Sequence, residues 1–353
     1  MPRRRACILT PGEAAYLLAS AAVAFTLVIV VEPAWIRVAR ERGLVGRDMN
    51  KPGRVMVAEA GGIWAVVAAA FGLLTLEALY TYLGGGLYRP AELFALVALL
   101  LLSSVLGFVD DILGWKKGLP RWQRVVFMAP VSLPLVVIKA GHSRLELPLI
   151  GAVDLGLAYP LVAVPIGVLG AANAFNMIAG FNGLEAGMGL LLMLFTAAYA
   201  YMKKVYFVLQ GSVIMAAALA GFLVYNWYPA RVFPGNGFTY GVGAYYAALV
   251  IIGNMEKFGL FLFTLYFIKA LLNLRGYLHH VWKPGVIEDF GVPLPDGTLD
   301  SPLEGIYTLT HAVIKLLKRL KGSAREPEVV AVILVMQALI GIAALILAAR
   351  GIL

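Results

Sequence analysis

The chain has 353 residues, 61% of them hydrophobic and only 14% charged, with a mean hydropathy of +0.84 and a formal net charge of +9. That composition excludes a water-soluble globule of this size. The positive excess suits a protein facing anionic lipid headgroups, so no nucleic-acid partner is needed to explain it. A single cysteine, Cys7, excludes a disulfide framework or a thiolate metal cluster.

Apolar runs long enough to cross roughly 30 Å of hydrocarbon recur along the chain. They fall at 14–36, 62–83, 91–109, 125–140, 156–172, 183–202, 205–226, 240–253, 258–278 and 328–349. The fold class predicted is an all-α integral membrane protein of about ten transmembrane helices. It forms a single polytopic domain over 1–353, with a long loop at 279–326 and an active site built from loops on one face. The first run is about twice the length of a signal-peptide core and has no A-x-A site after it, so it is expected to be retained.

Orientation follows from the 29 Lys and Arg residues. The odd-numbered gaps between spans hold 18 of them, the even side with both termini holds 10, and Lys269 lies within a span. The positive-inside rule places the odd gaps in the cytoplasm and both termini outside.

The polar clusters with chemical character all lie in odd gaps. In chain order they are GRDMNKPGRVMVAEAGG (46–62), DDILGWKKGLPRWQR (110–124), NAFNMIAGFNGLEAG (173–187), YNWYPARVFPGNG (225–237) and HHVWKPGVIEDFGVPLPDGTLD (279–300). Even gaps are short turns or a hairpin-like polar tract at 142–156. A transporter would scatter polar residues near the membrane midplane; here the spans are clean. Asp110 and Asp111 stand where a span meets water. Successive helical residues point about 100° apart, so the two carboxylates cannot do the same job. The alternative is a solvated helix end neutralised by Lys116 and Lys117. Asn173 and Asn176, spaced i, i+3, point the same way from one helical turn. Their amides suit a hard cation such as magnesium, a phosphate or a nucleobase edge; a capped re-entrant turn is the structural alternative. The segment KLLKRLKGSARE (315–326) has the register of a helix lying on anionic lipid.

The motifs DMNKP (48–52), GFVDDILG (107–114), NAFNMIAGFNGLEAG (173–187) and NWYPARVFPGN (226–236) carry a resemblance. The chain resembles the polyprenyl-phosphate N-acetylhexosamine-1-phosphate transferases, most closely the eukaryotic and archaeal branch acting on UDP-N-acetylglucosamine and dolichyl phosphate. The resemblance implies that a lipid phosphate attacks the β-phosphorus of UDP-N-acetylglucosamine. The products are a lipid-pyrophosphate sugar, which starts an oligosaccharide for N-glycosylation, and UMP. It also implies a magnesium cofactor, with manganese as a substitute, and tunicamycin sensitivity, and it leaves a homodimer open.

By the same resemblance Asp110 and Asp111 are the catalytic pair, and Asn176 and Asn236 the metal ligands. Lys51, Glu59, Arg124, Asn173, Asn182, His279, His280 and Lys283 contact substrate. Arg124 stands where the family has a lysine; its structural alternative is interfacial snorkelling. For His279 and His280 the alternative is an interfacial belt with Trp282. Two positions depart from the pattern. Gly235-Asn236 replaces the usual Gly-Asp, giving one neutral oxygen for an anionic one. The gap at 279–300 turns acidic at Glu288 and Asp289 where relatives are rich in Arg and His. A different UDP-sugar, or a multispan transporter, is the competing function.

Overall fold

The computed structural model describes residues 10–113, 127–147, 151–279, 281 and 289–353. Helix α1 (Pro11–Glu41) starts at a capping box: Thr10 accepts the Glu13 N–H at 3.2 Å, and Glu13 accepts the Thr10 N–H at 2.9 Å. Then come α2 (Gly62–Tyr82), α3 (Pro90–Ile112), a short α4 (Leu133–Val137), α5 (Val164–Met177), α6 (Leu184–Met202), α7 (Tyr206–Asn226) and α8 (Gly235–Ile252). A pair, α9 (Glu256–Leu262) and α10 (Thr264–Leu278), is bent by 57° at its break, and α11 (Leu309–Lys321) and α12 (Glu326–Ala349) complete the bundle.

Seven helices are long and apolar enough to cross a membrane among the described residues, or eight if the bent pair is one span. The expectation was about ten. The run at 125–140 lies partly outside the described residues, and its described part is broken at Pro130 and Pro134 into single turns. The run at 240–253 lies in α8. That helix is buried from Gly237 to Ile252, so it packs against protein on all sides, and glycines and tyrosines dilute its apolarity.

Helix α8 is the axis on which the site is hung. A side chain at Gly107 of α3 would stand 2.3 Å from the Asn236 carbonyl, and one at Gly243 of α8 would stand 2.7 Å from the Ala171 carbonyl of α5. Only glycine permits these backbone approaches, the usual device for close helix pairs in membranes. As a result the C-terminal ends of α3 and α5 meet the N-terminal end of α8.

The connectors are stitched to this end of the bundle. Strands β1 (Val45–Arg47) and β2 (Met56–Ala58) pair antiparallel, with Val45 opposite Ala58. Ala58 then accepts the Phe233 N–H at 2.7 Å, and Phe233 accepts the Gly61 N–H at 3.0 Å. The polar tract at 142–156 holds the pair β3 (Arg144–Leu147) and β4 (Gly151–Asp154). Strands β5 (Val292–Pro293) and β6 (Leu299–Asp300) pair ahead of α11.

Helix α11 is buried at its start and exposed further on, where Leu316 and Leu320 face outward. Leu309, Val313 and Ile314 are buried in the protein, and Lys318 pairs with Asp300 at 2.7 Å. Amphipathicity fixes which face is covered and leaves open what covers it.

Candidate active site

At the junction of α3, α5 and α8 four side chains are linked. Asn176 Nδ2 donates to Asn236 Oδ1 at 3.0 Å, and Asn236 Nδ2 donates to Asp110 Oδ2 at 3.0 Å. Asp111 takes a different part: Oδ1 accepts the Asn236 N–H at 2.9 Å and Oδ2 the Gly237 N–H at 3.2 Å. It thus caps the first turn of α8, where backbone N–H groups have no intrahelical acceptor and an anion is favoured. The neighbouring aspartates make separate contacts because one helical step turns them apart.

A cavity of about 530 Å³ opens on this junction, bordered by Asp111, Asn176, Asn236 and Glu59, with Phe233 and Phe290 also in its wall. Burial holds the Glu59 carboxyl above its usual range. Its position is set from outside the cavity, since Trp35 Nε1 donates to the Glu59 carbonyl at 2.9 Å. A second cavity, about 730 Å³ and almost wholly apolar, runs between α5 and the bent α9–α10 pair. Asn173 borders it, with its Nδ2 on the Leu169 carbonyl at 2.8 Å. One turn of α5 therefore presents Asn176 to the polar cavity and Asn173 to the apolar one.

Lys51 and Asn182 belong to a buried network beside the polar cavity. Lys51 pairs with Asp48 at 3.3 Å and with Glu326, lies 4.1 Å over the Tyr228 ring, and donates to Asn182 Oδ1 at 3.4 Å. Asn182 donates to Asp48 at 3.2 Å, and its N–H donates to Glu326 at 2.8 Å. Asn50 ties the same connector to Gly180 by donating to its carbonyl at 2.8 Å. His279 is exposed at the end of α10, 3.3 Å from the Tyr307 hydroxyl. Arg124, His280 and Lys283 lie outside the described residues.

Sequence reasoning passed over Asp48, Asn50, Glu326 and Phe290. The first two stand inside DMNKP, where an Asx turn was legible: the Asn50 N–H donates to Asp48 Oδ1 at 3.2 Å. Glu326 meets Lys51 from 275 residues away, and no local pattern announces that.

No three His, Cys, Asp or Glu side chains gather as a metal cage among the described residues. The oxygen-bearing side chains joined at the junction are two amides and a carboxylate, from Asn176, Asn236 and Asp110. These are hard donors of the kind magnesium takes.

Comparison with known proteins shows the family. The profile of glycosyl transferase family 4 matches residues 93–254. A Saccharolobus solfataricus protein, provisionally named UDP-N-acetylglucosamine–dolichyl-phosphate N-acetylglucosaminephosphotransferase, is 31% identical over 318 residues, covering 88% of this chain and 90% of that protein. The Schizosaccharomyces pombe enzyme of that name is 28% identical over 292 residues, covering 69% of this chain and 61% of its own. The phospho-N-acetylmuramoyl-pentapeptide-transferase of Streptococcus mutans is 29% identical over 246 residues, covering 66% and 71%. The matched segment contains the Asp110, Asn176 and Asn236 junction, and the chain belongs to glycosyl transferase family 4, the polyprenyl-phosphate N-acetylhexosamine-1-phosphate transferases.

Proposed function

We propose that the protein transfers N-acetylglucosamine 1-phosphate from UDP-N-acetylglucosamine to dolichyl or a related polyprenyl phosphate, the first step of a lipid-linked oligosaccharide for N-glycosylation. The observation that carries this reading is the single turn of α5 that borders both cavities. A reaction between a prenyl chain and a charged nucleotide sugar needs an apolar groove and a polar basin side by side. The apolar groove suits the prenyl chain, and the basin suits the donor's pyrophosphate.

In this reading an oxygen of the acceptor phosphate forms a bond to the donor's β-phosphorus. The bond from that phosphorus to the bridging oxygen breaks, and UMP leaves. A phosphate monoester has a second pKa near 6, so the nucleophile is already an anion near neutral pH and a strong general base is not required. Catalysis then rests on alignment and charge neutralisation. Asp110, Asn176 and Asn236 would hold magnesium, or manganese in its place, and that ion when bound neutralises pyrophosphate charge. Asp111 holds the start of α8, and with it Asn236, in register. Lys51 and Asn182, locked by Glu326 and Asp48, fix the rim of the donor basin. The excess of Lys and Arg in the odd gaps supports a cytoplasmic site with both termini outside.

The test is purified protein with radiolabelled UDP-N-acetylglucosamine and dolichyl phosphate, with and without magnesium. Lipid-linked sugar and UMP in equal amounts are expected, dependent on magnesium, inhibited by tunicamycin and lost when Asp110→Asn and Asp111→Asn are combined. UMP release without lipid-linked sugar overturns the reading.

A further inference from the structure

The end of α11 is fastened to the start of α12. Lys321 in the last turn of α11 forms an ion pair with Glu328 in the first turn of α12, and only residues 322–325 separate the two helices. Helix α12 has 24 residues and is apolar enough to cross a membrane. At 1.5 Å per residue it is about 36 Å long, slightly more than the roughly 30 Å of hydrocarbon it must cross, so its first turn stands at headgroup level. The last turn of α11 is therefore at that level too.

The surface at this level is apolar and basic. Protein covers Leu309, Val313 and Ile314, but the apolar stripe of α11 runs on past that cover: Leu316 is 47% exposed and Leu320 73%. Spaced i, i+4, these two leucines lie on one face, and Lys318, midway between them in sequence, points to the opposite side. Arg319 is exposed beside the leucines. Lys318 pairs with Asp300 at 2.7 Å and Lys321 with Glu328, whereas Arg319 has no acidic partner among the described residues. Leucines beside an uncommitted guanidinium have the chemistry of a helix seated in a lipid interface, where apolar side chains enter the acyl boundary and a guanidinium takes phosphate oxygens. A second copy of the chain meeting this face would set basic side chains against their own kind, so charge complementarity favours the bilayer.

We propose that the last two turns of α11 are a docking surface for the anionic phospholipid headgroups of the surrounding bilayer, with Leu316 and Leu320 seated among the acyl chains and Arg319 on a lipid phosphate. At its other end α11 carries Thr310, whose Oγ1 donates to the Asp289 carbonyl at 2.9 Å, next to Phe290 in the wall of the polar cavity. One helix thus joins the lipid surface to that wall. The proposal is independent of which nucleotide sugar or acceptor the protein uses.

The experiment puts a bimane label at Leu320→Cys, or at Lys318→Cys for the opposite side, in full-length protein carrying Cys7→Ser and reconstituted in mixed phosphatidylcholine and phosphatidylglycerol bilayers. Lipids brominated in their acyl chains should quench the label at 320 and leave that at 318, and aqueous acrylamide should do the reverse. With one lipid class brominated at a time, phosphatidylglycerol should be enriched about fivefold over its bulk share around the 320 label. Arg319→Gln should remove that enrichment and Arg319→Lys, which keeps the charge, should retain it, with the melting temperature unchanged in both. A 320 label that acrylamide reaches and bromine does not overturns the docking, and equal enrichment in wild type and Arg319→Gln overturns the role of Arg319. Enrichment abolished by inorganic phosphate overturns the headgroup as ligand. Protection of the 320 label from both quenchers, lost on diluting the protein in the bilayer, assigns the face to a second copy and overturns the proposal.

Discussion

Asp111 holds Asn236 by its backbone: the carboxylate receives the Asn236 N–H at 2.9 Å, and so closes the first turn of α8. Asp110 meets the Asn236 side chain instead, at 3.0 Å. One asparagine is thus held at backbone and amide by two successive residues of α3, and in the proposed reaction the pair separates a structural duty from a chemical one.

The first prediction follows from that division. Asp111→Ala should cost about 1–2 kcal/mol of stability, the usual worth of a helix cap, together with activity. Asp110→Asn keeps the shape and removes the charge. It should leave the melting temperature near that of the wild type while product formation falls by on the order of 10²-fold. Thermal melts beside turnover assays separate the two; equal loss of melting temperature in both variants contradicts the division.

Asn236→Asp removes the amide donor to Asp110 and sets two carboxylates against each other, which is unfavourable unless a cation lies between them. The variant should melt lower than the wild type in chelator and gain more from added magnesium. Thermal shifts across a magnesium titration read this directly, and a magnesium response no larger than that of the wild type counts against Asn236 as a ligand position.

Gly107→Ala should be destabilising by about 1–3 kcal/mol, the usual range for forced overpacking, because its new methyl would meet the Asn236 carbonyl. Since α3 must then move away from α8, product formation should fall with it. Retained activity at wild-type stability would show that the helix contact is softer than its geometry implies.

His311 gives a pH prediction. It is buried on α11, and burial lowers its pKa to about 4 from an ordinary 6.5; nearby Lys269 and Lys315 act in the same direction, against the Phe290 backbone. The unfolded chain therefore binds the proton first as pH falls. Stability should be full above pH 6.5 and decline progressively down to about pH 4. His311→Gln should flatten that decline; an unchanged slope in melts between pH 7 and 4.5 removes His311 as its cause.

Fold class was legible because the membrane requires long apolar runs, and those runs recover the seven helices long and apolar enough to span it among the described residues. Helix α8 was harder to read. Protein surrounds it, so its sequence records packing, with glycines at the crossings, in place of hydropathy. In the site, the identities Asp110, Asp111, Asn176 and Asn236 were readable as hard oxygen donors. That Asp111 would end on a backbone was not, because the N–H groups that donate to it belong to a helix 125 residues away. The amphipathic register of α11 was visible, whereas the burial of Leu309, Val313 and Ile314 at its start depended on tertiary packing. Lys51 looked like a basic residue in a loop; its burial with Glu326 depends on a helix at the far end of the sequence.

That last pairing bears on biosynthesis. Glu326 opens the final helix and clasps Lys51 from the connector after the first, so the basin acquires its last fastening only when that helix has been made and inserted. A ribosome-bound nascent chain stopped short of it carries every acidic and amide group of the proposed reaction centre, yet lacks the clasp that holds their rim.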